Sequence, residues 1–378
     1  MGGKVCSRKT VIRVFEIRYL TRMKRMLFLL VAVFISHIKT TKAQLNITLQ
    51  SNLSYPENLS DIWGYTDTAG NEYALIGTRN GVSIVNVTDA QNPVEVQYIP
   101  GPTSIWRDIK TWQHYAYVVN ETEGGMTIID LSMLPDSIQT WNWTGDTLNM
   151  QKGHNLFVDE NDILYIVGHD VGIGGALMAN LNIDPINPPI VGNYDFAYVH
   201  DCFVRGDTMW NAEIQDGIFS VVDISDKTNP ILLASMPTPL FKTHNTWLSD
   251  GGQTLFTTDE INGGGITTYD VSDLSDIELI NEYRTNPGTV SIPHNTFVVG
   301  GYLVTSYYKN GVTIADATNP ANVVETGNYD TSPLSGSGSG GCWGVYPYLP
   351  SGNIIASDMQ QGLFVLAPTF TRACYLEG

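Results

Sequence analysis

Residues 294–324 carry the run His294-Asn295-Thr296-Phe297-Val298-Val299, Gly300-Gly301, Tyr302-Leu303-Val304-Thr305, Gly311-Val312-Thr313-Ile314-Ala315-Asp316, Asn319-Pro320 and Val323-Val324. Short runs of β-branched and aromatic residues alternate with Gly pairs and an Asn-Pro step. That pattern encodes four strands joined by tight turns. The apolar period is two, so helical repeats are excluded.

The same unit recurs along the chain. Its third strand returns as Val82-Ser83-Ile84-Val85, Met126-Thr127-Ile128-Ile129-Asp130, Ile218-Phe219-Ser220-Val221-Val222-Asp223, Ile266-Thr267-Thr268-Tyr269-Asp270 and Leu363-Phe364-Val365-Leu366. Its Asn-Pro turn returns at Asn92-Pro93, Asn187-Pro188 and Asn229-Pro230. Aligned by distance to the second strand, the lead position falls at Trp63, Arg107, His154, His200, His244, His294 and Trp343, at spacings of 44 to 50 residues. Spacing in the forties with about four strands per unit is that of a β-propeller. The expected fold is therefore all-β: a seven-bladed propeller over residues 44–368, followed by a short tail, 369–378. The last unit has only three strands of its own. The segment Asn46-Ile47-Thr48-Leu49-Gln50 is expected to supply the fourth, pairing with that unit's third strand and leaving no open seam.

Ahead of this repeat, Arg22, Lys24 and Arg25 precede an apolar run from Met26 to Ile35, and Thr41-Lys42-Ala43 follows. Charge, apolar run and small residues in that order predict a signal peptide over residues 1–43, cleaved after Ala43, with a probable over-long start before Met23. The run is shorter than the ~20 residues that span a bilayer. The expectation is a secreted or cell-surface protein with no transmembrane anchor in the mature chain. Residues 1–43 hold ten of the 20 Lys and Arg but one of the 38 Asp and Glu, which leaves ten bases against 37 acids, a net charge of −27. A surface so negative repels phosphate backbones, so no nucleic-acid partner is expected. Three cysteines follow residue 43, Cys202, Cys342 and Cys374. An odd number makes no disulfide framework, although a Cys342–Cys374 bridge is conceivable.

The strands ending in Ile-Ile-Asp and Val-Val-Asp, the His-Asn leads and the closing Cys342-Trp343-Gly344-Val345-Tyr346-Pro347-Tyr348-Leu349-Pro350-Ser351-Gly352 resemble LVIVD-repeat proteins of the choice-of-anchor B type. The resemblance spans roughly residues 44–367. It implies a secreted or cell-surface propeller whose activity is largely undefined. Relatives carry varied surface anchors. Here no lipobox Cys follows the apolar run and residues 369–378 are short and polar, so either release to the medium or a truncated tail is expected.

In a propeller the innermost strands line a channel, and the start of strand one opens on the same face as the end of strand two. That logic collects the lead positions in one funnel with Arg79, Glu121, His169, Asp170, Glu213, Asp259, Glu260, Tyr307, Tyr308 and Asp358. Four of the chain's seven histidines, His154, His200, His244 and His294, occupy one register in consecutive units. Converging imidazoles suit a divalent metal such as Zn, Mn or Cu, with carboxylates as further ligands or as orienting partners. The alternative is structural: duplication copies a tie between blades as readily as a ligand, and the following Asn or Asp can satisfy a turn. Trp63 and Trp343 can stack on a sugar or fill the core. Arg107 can hold a ligand's carboxylate or pair with Asp108 or Glu121. The candidate ligand-binding set is thus Trp63, Arg107, Trp343, Glu121, Glu213, Asp259, Tyr307 and Asp358. Asp159-Glu160-Asn161-Asp162 reads as a hairpin turn, since it lacks the Gly and distal Glu of an EF-hand loop. Ser335–Gly341 reads as a linker on the funnel side. Two functions follow: a binding or scaffold propeller for a glycan or surface protein, or a metal-assisted polysaccharide lyase or hydrolase.

Overall fold

The computed structural model describes residues 44–375 apart from residue 287. The expected leader, residues 1–43, lies outside the described residues. The repeat folds into seven four-stranded antiparallel sheets, with no α-helix among the described residues. Six blades take their strands in chain order. The innermost strands are Leu59–Thr66, Arg107–Trp112, Asn155–Val158, Asp201–Arg205, Thr243–Leu248, Thr296–Val299 and Cys342–Tyr346. Each packs beside the innermost strand of a neighbouring blade or against that blade's second strand, so the seven units form a ring. The seventh blade closes as expected: Ile47–Leu53 runs antiparallel to Gly362–Pro368, from Ile47 opposite Pro368 to Leu53 opposite Leu363. Leu45 also exchanges two backbone hydrogen bonds with Asn328 in the outer strand of blade six, so this segment grips two blades.

The apolar core is not central. Seven of its eight clusters lie at the seven blade-to-blade junctions, and the eighth, around Trp343, lies in the funnel. Phe203, Trp210, Phe219 and Val221 of blade four, for example, meet Leu248, Leu255 and Tyr269 of blade five. At the junction of blades seven and one, Ile355, Leu363 and Val365 meet Ile62, Ala74 and Ile76. Each sheet is thus buried on both faces, and its second and third strands are almost continuously buried rather than alternating. Asp159 Oδ1 accepts the backbone N–H groups of Asn161 and Ile163, confirming the hairpin turn. The three cysteines are free thiols, with Cys342 buried and Cys374 exposed.

Candidate functional site

Three layers of side chains line the channel. The junction hydrogen bonds fix their register. Asp61 Oδ2 accepts the N–H of Ile109 at 3.1 Å, Asp108 Oδ1 that of Leu156 at 2.9 Å, and Asn245 Oδ1 that of Thr296 at 3.1 Å. In blades one, two and five the residue after the lead therefore ties its blade to a neighbour, and in chain order the belt at this register is Asp61, Asp108, Asn155, Asp201, Asn245, Asn295 and Gly344. A Cβ on Gly344 would come within 2.8 Å of Ser357 Oγ and 3.1 Å of Ile62 N, so blade seven offers bare backbone there. Counting back one residue, the lead of blade one is Ser60. Its Oγ accepts the N–H of Arg107.

Trp63 belongs to a different layer, three residues along its strand. A β-bulge between Leu59 and Ile62 breaks the count to the second strand that had put it at the lead. The same offset gives Lys110, Phe157, Phe203, Trp247, Phe297 and Tyr346. These aromatics plug the channel: Trp63 meets Phe297 and Tyr346, and Trp247 meets Phe203 and Phe297. Lys110 is the one cation among them. Its Nζ lies 4.4 Å over the Trp63 ring and reaches up to Asp108 at 2.8 Å and Asp61 at 3.5 Å. Beside it, Asp201 Oδ2 accepts the side-chain amides of Asn245 and Asn295.

Above this belt the four histidines converge. Ring centroids lie 3.9 Å apart for His154 and His200, 4.6 Å for His200 and His244, and 4.3 Å for His244 and His294. The stack continues through Trp343, 4.3 Å from His294, to Trp106 at 5.7 Å. Backbone N–H groups of His154, His200 and His294 pair within their own blades, to Val167, Ala212 and Ser306, so the side chains are left to face the axis. Ties between blades are shared: Asn245 takes the Thr296 N–H, Asp201 the amides of Asn245 and Asn295, and the backbone of the next blade's lead acts on the rings of His244 and His294.

His154 Nδ1 lies 2.5 Å from Glu121 Oε1, and its Nε2 faces His200 Nε2 at 3.0 Å. The carboxylate accepts, so Nδ1 carries a hydrogen, and in a singly protonated ring Nε2 then presents a lone pair. His200 then has two choices. Donating from Nε2 leaves its buried Nδ1 lone pair without a partner; a hydrogen on Nδ1 sets two lone pairs against each other. Nδ1 of His244 and of His294 is likewise buried and unpartnered among the described residues. Burial and the neighbouring imidazoles hold His200 and His294 well below the ordinary histidine range, and burial lowers His244 against the pull of Glu260. The rings of His200, His244 and His294 are therefore uncharged at neutral pH and available as ligands.

Donor atoms of His154, His200 and His244 lie within 4.8 Å of one another, as do those of His244, Glu260 and His294. Glu260 Oε2 is 3.6 Å from His244 Nε2, while its Oε1 accepts the Tyr308 hydroxyl at 2.6 Å. Burial and Glu260 keep that phenol protonated. Glu260 and Tyr308, placed in the funnel by strand direction, thus join the cluster.

Other residues of the candidate set are engaged by the scaffold. Arg107 is buried, and its guanidinium donates to the carbonyls of Thr78, Arg79 and Pro102. Neither Asp108 nor Glu121 pairs with it. Asp259 receives Thr238 Oγ1 and the N–H groups of Leu240 and Lys242. Asp358 does the same for Thr331, Gln360 and Gln361. Glu213 accepts the Ser220 hydroxyl, and the Tyr307 hydroxyl donates to Gly264 O. Trp343 is the exception, packed directly on His294.

The fold is a closed seven-bladed β-propeller with a histidine-floored funnel. The LVIVD repeat family matches it over residues 213–238, in blade four, and 294–331, in blade six. No curated protein matches the chain. Among the described residues no helix is long and apolar enough to cross a membrane.

Proposed function

We propose that this protein is a secreted or cell-surface binding propeller of the choice-of-anchor B kind, and that its funnel holds a divalent transition metal, zinc, manganese or copper. His154, His200 and His244 are the ligands, with Glu260 and His294 at the edge of the site. The observation that carries this reading is the 3.0 Å approach of His154 Nε2 and His200 Nε2, with the Glu121 carboxylate on the far nitrogen of His154. Ligands bound at about 2.1 Å on one ion stand roughly 3.0 to 3.4 Å apart, so this spacing suits one. A carboxylate on the far nitrogen of a ligating imidazole is the usual orienting partner of a metal site.

Purified protein should contain close to one transition-metal ion per chain by elemental analysis. The double variant His200→Ala, His244→Ala should fold, with an unchanged β-sheet circular-dichroism spectrum, and contain none. Stoichiometric metal absent from the native protein, even after incubation with Zn, Mn and Cu salts, sinks the reading. Glu121→Gln should keep the metal but weaken it roughly 10- to 100-fold in a chelator competition; unchanged affinity would show that Glu121 has no part in orienting His154.

A further inference from the structure

Large apolar side chains are exposed unevenly on the two ends of the propeller. Loops that enter a first strand or leave a second one open on the funnel face, and loops joining strands one to two or three to four open on the opposite face. Among the described residues, nine exposed large apolar side chains stand in funnel-face loops and two, Met133 and Ile183, in the opposite loops. The nine come from eight loops, so they ring the mouth rather than crowd one spot. They are densest over blades three to five, with Ile173, Phe196, Leu240, Phe241 and Ile261. Neither Phe fills the core: Phe196 is 75% exposed and Phe241 65%.

The scaffold holds these tips out. Asp195 Oδ1 accepts the Ile173 N–H at 2.9 Å, which joins the loop of Ile173 to that of Phe196. Asp259 takes the N–H groups of Leu240 and Lys242, on either side of Phe241. Phe241 itself sits at φ 53°, and a Cβ on Gly217 would come within 2.6 Å of its Cα, so the tip rests on a glycine. An aromatic residue in the left-handed region is strained. Strain kept for a ring that the fold leaves in solvent points to a use outside the fold.

Charge follows the same division. Funnel-face loops carry nine acids and five bases, Arg79, Lys152, Lys242, Arg284 and Lys309, whereas the opposite loops carry twelve acids and one base, Lys227. The net is −4 against −11, and half of the ten bases that follow residue 43 lie among the apolar tips. Strands of mostly five to seven residues, at ~3.3 Å each, set the two ends roughly 17 to 23 Å apart. That is about two Debye lengths or more at physiological salt, so most of the acid excess is screened from whatever touches the funnel face.

We propose that the funnel face docks on a lipid bilayer containing anionic phospholipid, with Phe196 and Phe241 inserted between headgroups and the basic residues of these loops at phosphate level. Single apolar tips on separate loops, interleaved with lysine and arginine, fit a fluid interface that closes round each tip, whereas a folded partner calls for one contiguous apolar patch. The proposal does not depend on the metal.

Co-sedimentation with mixed phosphatidylcholine–phosphatidylglycerol vesicles at physiological salt tests it. Native protein should bind saturably. Phe196→Ser with Phe241→Ser should melt like the native protein yet bind roughly 10- to 100-fold more weakly, as loss of two inserted aromatic side chains predicts. Met133→Ser with Ile183→Ser, comparably exposed on the opposite face, should bind as the native protein does. Pure phosphatidylcholine vesicles should bind roughly 5- to 50-fold less, the range for one or two basic residues at an anionic surface. Absence of vesicle binding, equal binding to both vesicle types, or native affinity in the double Phe variant overturns the proposal. So does a dimer that forms without lipid and is abolished by the two Phe substitutions while vesicles bind nothing, a result that would give this face to a second copy of the chain.

Discussion

A chain of residues 56–378 should melt roughly 10 °C below one of residues 44–378. Three losses add. Gly362–Pro368 loses its outer partner, exposing a full strand edge that includes Phe364 and Leu366. Ile47, buried against blades six and seven, leaves a gap in their shared cluster. The bridge between Leu45 and Asn328 and the bond from Asn46 Nδ2 to Thr326 O also go. Net hydrogen-bond worth of about 1 kcal/mol each, with one buried aliphatic, puts the cost on the order of 5 to 8 kcal/mol. With unfolding entropy near 2.1 cal/mol/K per residue, about 1.4 °C is lost per kcal/mol in a chain this long. A synthetic peptide of residues 44–55, added in excess, should recover part of the fall by mass action. Identical melting of the two chains would mean that the ring is held shut without this strand. The truncated chain should also associate, because an unpaired apolar edge templates pairing with another copy.

The architecture was legible because propeller repeats write their turns in Gly and Asn-Pro and their strands in β-branched runs, signals that survive without side-chain geometry. The closing strand was legible for the same reason: a seventh unit one strand short needed a partner. Blade one shows where counting fails. A bulge adds residues between its lead and its second strand, so distance to that strand put Trp63 in the histidine register. The belt would have found it, since Ser60-Asp61-Ile62-Trp63 matches His154-Asn155-Leu156-Phe157 once the Asp or Asn is used as the marker. That the histidines face one another follows from register alone, and this the repeat supplied. Which carboxylates reach them does not. Glu121, Glu213, Asp259 and Asp358 all end a second strand or follow one, but two clamp an incoming loop, one bonds a neighbouring Ser and only Glu121 meets a histidine. Those fates depend on loop paths of differing length, which no periodicity encodes. Arg107 illustrates the same limit: a scarce cation at a funnel register proved to be bound by carbonyls of Thr78 and Arg79, where the second strand of blade one ends, and of Pro102 in the loop before it.

Lys110 is the residue whose loss should cost most for a single atom group, although nothing in its sequence neighbourhood sets it apart from a surface lysine. It sits at the one position of the lower ring that lacks an aromatic, and among the described residues it is the only cation touching the buried Asp61 and Asp108. Burial already raises Asp108 well above the ordinary carboxylate range, with Lys110 as the main opposing pull and Asp61 adding to the rise. Lys110→Met keeps most of the stem's contact with Trp63 but strands that carboxylate. Removing one partner of a buried pair costs about 3 to 5 kcal/mol, or roughly 4 to 7 °C by the same entropy scale. The pH dependence has a definite sign. Asp108 binds its proton more tightly folded than unfolded, where carboxyls titrate near ~3.9. The penalty is therefore absent in strong acid, grows as pH rises above the unfolded value and stops growing above the folded one. Native and variant melting temperatures should thus lie furthest apart at pH 7 and draw together toward pH 4. Adding Asp108→Asn to Lys110→Met should recover a large share of the loss at pH 7, because the neutral amide still accepts the Leu156 N–H that Asp108 now holds. A Lys110→Met protein whose stability tracks the native one at every pH would show that the belt aspartates do not depend on this ammonium. Their charge would then be carried by the junction hydrogen bonds alone.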